Sequence, residues 1–169
     1  HRCVDLWVAN SHAGARFNQK LLGHPPERYR VVHNGGDTTR FQPGDARQIR
    51  ARIGLAPDAP VVGMFASFKA QKNHAAFFRA AAQIAAQDSC TRFLLVGDML
   101  FGGMHGSDEY CRAINQLVDR QGLRPRCIFL GNRDDVASLY SACDVTVLPS
   151  LFEGTANALL ESMACRVPV

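Results

Sequence analysis

The sequence is most informative first in what it lacks. Its 169 residues contain no apolar stretch near the ~20 that a membrane-spanning helix needs, and no secretory leader pattern occurs within them. Lys and Arg (19) barely outnumber Asp and Glu (15), for a formal charge of +4, and the basic residues are scattered rather than collected into a run or interleaved with aromatics. That distribution argues against nucleic acid as a partner and favours an anionic small molecule. Six cysteines occur, Cys3, Cys90, Cys111, Cys127, Cys143 and Cys165, without a CxxC pair. Most sit in apolar surroundings, so we read them as buried free thiols in a reducing, cytoplasmic compartment. The histidines (His1, His12, His24, His33, His74, His105) show no metal-ligand spacing such as HxxxH.

What is present is an alternation of short apolar runs with helical patterns. His12 to Leu22 reads as a helix broken by Pro25 and Pro26, and Tyr29 to His33 as a strand entering the turn Asn34-Gly35-Gly36-Asp37. We place a crossover between two lobes here, with residues 1–35 the tail of an N-terminal domain and 36–169 an incomplete C-terminal domain. The chain lacks an initiator Met and stops two residues into an apolar run, and it is read as part of a longer protein. A short basic helix follows from Asp45 to Ile53. Strands are expected at Val61–Phe65, Phe93–Val96, Cys127–Leu130 and Val145–Leu148. Helices are expected from Asn73 to Gln87, with Phe77, Phe78, Ala81, Ile84 and Ala85 facing the core, and from Glu109 to Gln121, with Tyr110, Ala113, Ile114, Leu117 and Val118 inward. Two more are expected from Asp134 or Asp135 to Ser141 and from Thr155 to Cys165. Short, continuously apolar strands alternating with helices indicate a Rossmann-like doubly wound α/β fold with a parallel sheet covered on both faces. Ligands of such sheets bind at the carboxyl ends of the strands.

Polar residues that a core does not require are therefore informative at each strand end. After Phe65 come Lys69 and Lys72 in a loop just ahead of a helix; a cation there opposes the helix dipole unless an anion joins it, the alternative being a solvated lysine. After Val96 come Gly97 and Asp98, then the segment LFGGMHGSD, long enough to act as a cover. Gly97 permits a close approach of backbone or ligand, or else is a plain turn. After Leu130 come Gly131, Asn132 and Arg133, a loop able to meet a nucleobase edge, with Arg133 also able to pair with Asp134 or Asp135. After Leu148 comes the richest segment, in which Glu153 and Glu161 flank seven residues that pass from loop into helix.

The start of that last helix exposes unpaired N–H groups and the positive end of its dipole, which favour a phosphate. Glu161 lies roughly 9 Å along the helix from Thr155, with its Cβ tilted back toward the start. A diphosphate at the amides of Ala156, Asn157 and Ala158 would then have Glu153 near a sugar on one side and Glu161 near a ribose on the other. The alternative is a pair of solvated carboxylates.

The blocks HNGGDTTRF, VGMFASFKAQKN, FLLVGD, CIFLGNRDDVASLYSACDVTVLPS and FEGTANALLESMACRVPV, in this order and spacing, resemble the donor-binding lobe of the retaining GT-B glycosyltransferases of glycosyltransferase family 4. The similarity runs from about residue 30 to the end, and LWVANSH after Asp5 resembles the closing strand of the family's acceptor-side domain. The resemblance implies that Lys72 neutralises the donor diphosphate, that Glu153 contacts the transferred sugar at its reacting carbon, and that Glu161 holds the ribose hydroxyls. It places Ala156, Asn157 and Ala158 at the phosphate and Gly131, Asn132 and Arg133 beside the base.

It further implies a UDP-, GDP- or ADP-sugar as substrate, no cofactor, and metal-independent transfer with retention, in keeping with the absence of a DxD pair. The acceptor it implies is a glycan, a lipid or a small molecule, with peripheral membrane association left open. Three departures stand out. Ala66-Ser67 replaces a Gly-Arg pair, so that a second positive charge comes from Lys69, from another lobe, or is missing; Arg166 stands where glycine is usual; and most of the acceptor domain lies outside these residues. Two other readings are a non-catalytic nucleotide-binding module and a GT-B epimerase or phosphorylase.

Overall fold

The computed structural model describes residues 4–98 and 107–169. The expected cover segment LFGGMHGSD therefore falls largely outside the described residues, as do His1, Cys3 and His105. Two parallel sheets organise the described residues. The smaller joins β1 (Trp7–Ala9) to β2 (Tyr29–Val31), with α1 (His12–Leu22) between them in sequence. Ser11 caps α1 by accepting from Gly14 N–H at 3.0 Å, and Gly23 ends it in the left-handed conformation at φ 67°.

The larger sheet contains β3 (Val61–Phe65), β4 (Arg92–Val96), β5 (Cys127–Phe129) and β6 (Val145–Thr146) in the order β5-β4-β3-β6, every pair parallel. Alternate residues of β3 and β4 serve opposite faces. Val61, Phe65, Leu94 and Val96 pack with residues of α2 (Ala46–Arg52) and α5 (Val136–Leu139). Met64, Phe93 and Leu95 pack with Phe77, Phe78 and Ala81 of α3 (His74–Gln87) and with Cys111, Ile114 and Val118 of α4 (Ser107–Arg120). Both faces are buried, which is why these strands read as unbroken apolar runs, and the doubly wound α/β class is the one observed.

Details of the elements differ from expectation. On α4 the buried stripe runs through Cys111, Ile114 and Val118, while Ala113 is exposed. On α3, Ile84 is 36% exposed, leaving Phe77, Phe78 and Ala81 as the anchors. Asn73 caps α3 as expected, accepting from Ala76 N–H at 3.4 Å. Asp135 precedes α5 without a side-chain cap bond, and that helix is one turn continued by a 3-10 turn at Tyr140–Ala142. The last helix, α6 (Asn157–Ala164), begins two residues later than Thr155. Of the described cysteines, Cys111, Cys143 and Cys165 are buried, Cys127 is half-buried and Cys90 is exposed. Burial pushes the Cys127 and Cys143 thiols up to about 12, which makes them weak nucleophiles.

At the edge of the sheet away from the polar loops, Arg50 clamps the elements together. Its guanidinium donates to Ala142 O at 2.9 Å, to Pro57 O at 2.6 Å and to Asp144 Oδ2 at 2.9 Å, and Asp144 accepts from Val61 N–H at 2.7 Å.

Candidate functional site

The strand order reverses between β3 and β6, because β3, β4 and β5 run outward in one direction and β6 returns to the other side of β3. A sheet that changes direction leaves a crevice at its carboxyl edge, between the loops that diverge there. The loop after β3 carries Lys69 and Lys72 and the loop after β6 carries Glu153, so the two flank the switch point.

The loops are tied together. Leu151 N–H donates to Gln71 O at 2.8 Å, Gln71 Nε2 donates to Phe152 O at 2.8 Å, and Lys72 Nζ meets Glu153 Oε1 at 2.5 Å. Lys72 and Glu153 keep only 21% and 24% of their side-chain surface exposed, so this pair is sheltered enough to hold its geometry. The two residues expected to act on a donor thus meet although 81 residues separate them. Lys69 is exposed on the approach to the 3-10 turn Ala70–Lys72, and no ion pair involving it occurs among the described residues.

A cleft of about 500 Å³ opens beside the switch point. Its wall takes Ser67 from the end of β3, Gly97 and Asp98 from the end of β4, Asn132 and Arg133 from the loop after β5, and Ala158 and Glu161 from α6. Lys72 and Glu153 are not part of that wall. A smaller cavity of about 190 Å³, lined by Gly35, Gly36, Asp37, Asn157 and Glu161 among others, lies on the other side of the same glutamate. Glu161 therefore stands between the two.

Among the described residues, the N–H groups of Asn157 and Ala158 at the start of α6 bond to no carbonyl, whereas Leu159 donates to Ala156 O at 3.0 Å. Ala156 is itself the N-cap and offers no side-chain acceptor. The two amides are free for an anion; the third, that of Ala156, lies before the helix rather than in it. Asn157 is held by its side chain, with Oδ1 accepting from Asn34 Nδ2 at 2.7 Å.

The loop after β5 is fixed from below. Gly131, at φ 64°, offers its carbonyl to Gly97 N–H at 2.8 Å. Arg133 makes a two-pronged ion pair with Asp135, 2.8 Å at Nε and 3.0 Å at Nη2, and Arg52 joins the same carboxylate at 2.8 Å. The guanidinium of Arg133 is thus engaged by Asp135 rather than Asp134, and it holds the Asp135 carboxyl below the usual range.

Sequence reasoning missed Tyr140, whose Oη donates to Glu161 Oε2 at 2.7 Å. Residues 21 apart on different elements share no local pattern, so nothing in the sequence announced this contact. It also missed Asn34, which it read as a turn residue.

A parallel α/β sheet with an open crevice at its switch point, bordered by a helix start, defines the class: a Rossmann-like ligand-binding lobe. The comparisons narrow it. Residues 59–169 match the family described as glycosyl transferases group 1, and the chain belongs to that family. It is 32% identical over 170 residues to the D-inositol 3-phosphate glycosyltransferase of Nocardia farcinica, covering 98% of this chain and 37% of that protein. Among solved structures it is similar to Anabaena HepE in complex with UDP-glucose, with 30% identity, a TM-score of 0.85, and coverage of 98% of this chain and 44% of that one. It is also similar to sucrose-phosphate synthase from Thermosynechococcus elongatus, with 28% identity, a TM-score of 0.81, and coverage of 96% and 39%. The chain spans about two fifths of the length of these relatives. Its fold is that of the C-terminal domain of a GT-B glycosyltransferase. Among the described residues no helix is long and apolar enough to cross a membrane.

Proposed function

We propose that the chain is the donor-binding part of an enzyme that transfers a hexose from a nucleoside-diphosphate sugar to an acceptor hydroxyl, with retention and without a metal ion. Residues 1–35 belong in this reading to the end of the acceptor-side domain and its crossover, and 36–169 to the donor-side domain. The observation that carries it is the Lys72–Glu153 pair across the switch point, beside the free amides of Asn157 and Ala158 and a cleft ending on Glu161. HepE, similar in fold and 30% identical, binds UDP-glucose, which supports a nucleotide-sugar for this chain too.

In the mechanism, the diphosphate displaces Glu153 from Lys72 and takes its positive charge, helped by the α6 amides. Glu153, freed, accepts from sugar hydroxyls near the reacting carbon. Glu161 accepts from the ribose, and the backbone of Gly131 to Arg133 borders the base, the side chain of Arg133 being engaged elsewhere. The departing diphosphate then gains its charge against a preorganised cation, while the acceptor hydroxyl attacks from the same face and passes its proton to the leaving oxygen. Ser67 supplies no charge to the cleft, so a second cation comes from Lys69 or from the acceptor side. The acceptor, whether glycan, lipid or small molecule, is met mainly by that other side, and the setting is cytoplasmic.

The test is Lys72→Ala in the full-length protein. Turnover is expected to fall about a hundredfold, the usual effect of deleting one transition-state contact, with an unchanged melting temperature. An unchanged transfer rate would overturn the role. The Ser67 departure keeps a second reading, a binding module, in view; nucleotide binding without transfer to any acceptor would favour it.

A further inference from the structure

We propose that Tyr140 is a positioning residue for the donor nucleotide: its hydroxyl holds one oxygen of Glu161 so that the other faces the ribose hydroxyls. This rests on the assignment of Glu161 to the ribose. The geometry is specific. Tyr140 is 1% exposed, its ring stacks on Phe65 at 3.9 Å and 18°, and Phe41 meets it edge-on at 6.0 Å. A ring so held cannot swing, so Oη is a fixed donor at 2.7 Å from Glu161 Oε2. Burial and the Glu161 carboxylate both raise the phenol pKa well above its ordinary value, which keeps the proton on Oη.

Glu161 by itself is poorly suited to discrimination. It is half-buried between the cleft and the smaller cavity, and the terminal torsion of a glutamate is broad and soft. A carboxylate that must be ordered on binding loses part of its hydrogen-bond energy to that ordering. With Oε2 tied to Tyr140, the torsion is set beforehand and Oε1 is left for the ribose hydroxyls. The consequence is selectivity for ribose over deoxyribose that depends on a residue with almost no surface of its own.

The full-length protein is titrated with UDP, GDP and ADP, and the one that binds is compared with its 2′-deoxy and 3′-deoxy forms. The native protein is expected to prefer the ribonucleotide about tenfold over at least one deoxy form, the worth of a hydrogen bond to a charged group. Glu161→Ala should abolish that preference. Tyr140→Phe, which keeps the stacked ring, should reduce it roughly threefold or more by weakening the ribonucleotide while leaving the deoxy form unchanged. A purely structural role would weaken both forms alike. If Glu161→Ala removes the preference and Tyr140→Phe leaves it whole, the positioning role is wrong and the ribose assignment stands. If Glu161→Ala leaves the preference intact, or no nucleotide binds, the assignment itself falls and the inference with it. Should Tyr140→Phe not fold, Tyr140→Met, an adaptable apolar replacement without the hydroxyl, reads the same difference.

Discussion

At the scale of single residues, His74 connects the site to stability. It is the first residue of α3, two positions from Lys72, and is completely buried. Its ring stacks on Phe68 at 4.1 Å, and Tyr110 Oη accepts from its backbone N–H at 3.0 Å. Burial lowers its pKa to about 4, the charge of Lys72 adds to the shift, and the Ala66 backbone opposes it. The unfolded chain, with a histidine near 6.5, therefore takes up a proton between those values that the folded chain refuses. Stability from this group is complete above pH 6.5 and is lost as pH falls toward 4, a loss of about 3 kcal/mol. Urea midpoints measured at intervals from pH 7.5 to 4.5 should fall steeply in the native protein and flatten over that window in His74→Asn. An equally steep fall in the variant would assign the pH dependence elsewhere. None of this was legible beforehand: the sequence gives His74 as the residue after a cap, and only the packing of Phe68 and Tyr110 around it reveals an imidazole kept neutral.

At the scale of elements, the alternation of strands and helices was legible because both faces of the sheet are covered, which forces continuous apolar runs at β3 and β4. Boundaries set by distant contacts were not. The last helix is expected from Thr155, yet Thr155 Oγ1 donates to Asn10 O at 2.8 Å, 145 residues away, and α6 starts at Asn157 instead. The same limit hid Tyr140, while Lys72, Glu153 and Glu161 could be put forward as candidates because loop position and helix spacing are local properties. At the far end of α6, Arg166, which stands where glycine is usual, adopts φ 60°. Its N–H donates to Met163 O at 2.9 Å and Val167 N–H to Ser162 O at 3.0 Å, the hydrogen bonds of a helix closed by a left-handed residue. A side chain there is strained, so Arg166→Gly should stabilise the protein by about 0.5 to 1 kcal/mol, seen as a higher urea midpoint with an unchanged slope. A lower midpoint would mean that the arginine side chain makes a compensating contact.

At the scale of the whole molecule, the site exists because the carboxyl ends of three strands meet at one glycine. Gly97, at φ 151°, donates its N–H to Gly131 O at 2.8 Å, while Ala66 N–H donates to Val96 O at 2.9 Å and Phe68 N–H to Asp98 O at 2.9 Å. The ends of β3, β4 and β5 are thus laced together under the floor of the cleft. A Cβ on Gly97 would lie 2.0 Å from Ala66 O and 2.5 Å from Ala66 C, both backbone atoms that cannot turn aside. The close approach foreseen at this glycine is therefore made by the chain's own backbone. Gly97→Ala is expected to cost about 3 kcal/mol, from collision and backbone strain together, and to weaken nucleotide binding by displacing the loops that carry Ser67, Asp98 and Asn132. Gly131→Ala has open space around the added carbon and suffers only its φ of 64°, so it should cost about 1 kcal/mol. Gly35→Ala, with neither restriction, should be close to neutral in stability. Thermal melts and nucleotide titration of the three variants decide the matter through their order. If Gly97→Ala melts and binds like Gly35→Ala, the three strand ends are not mechanically joined, and the cleft is held by its side chains alone.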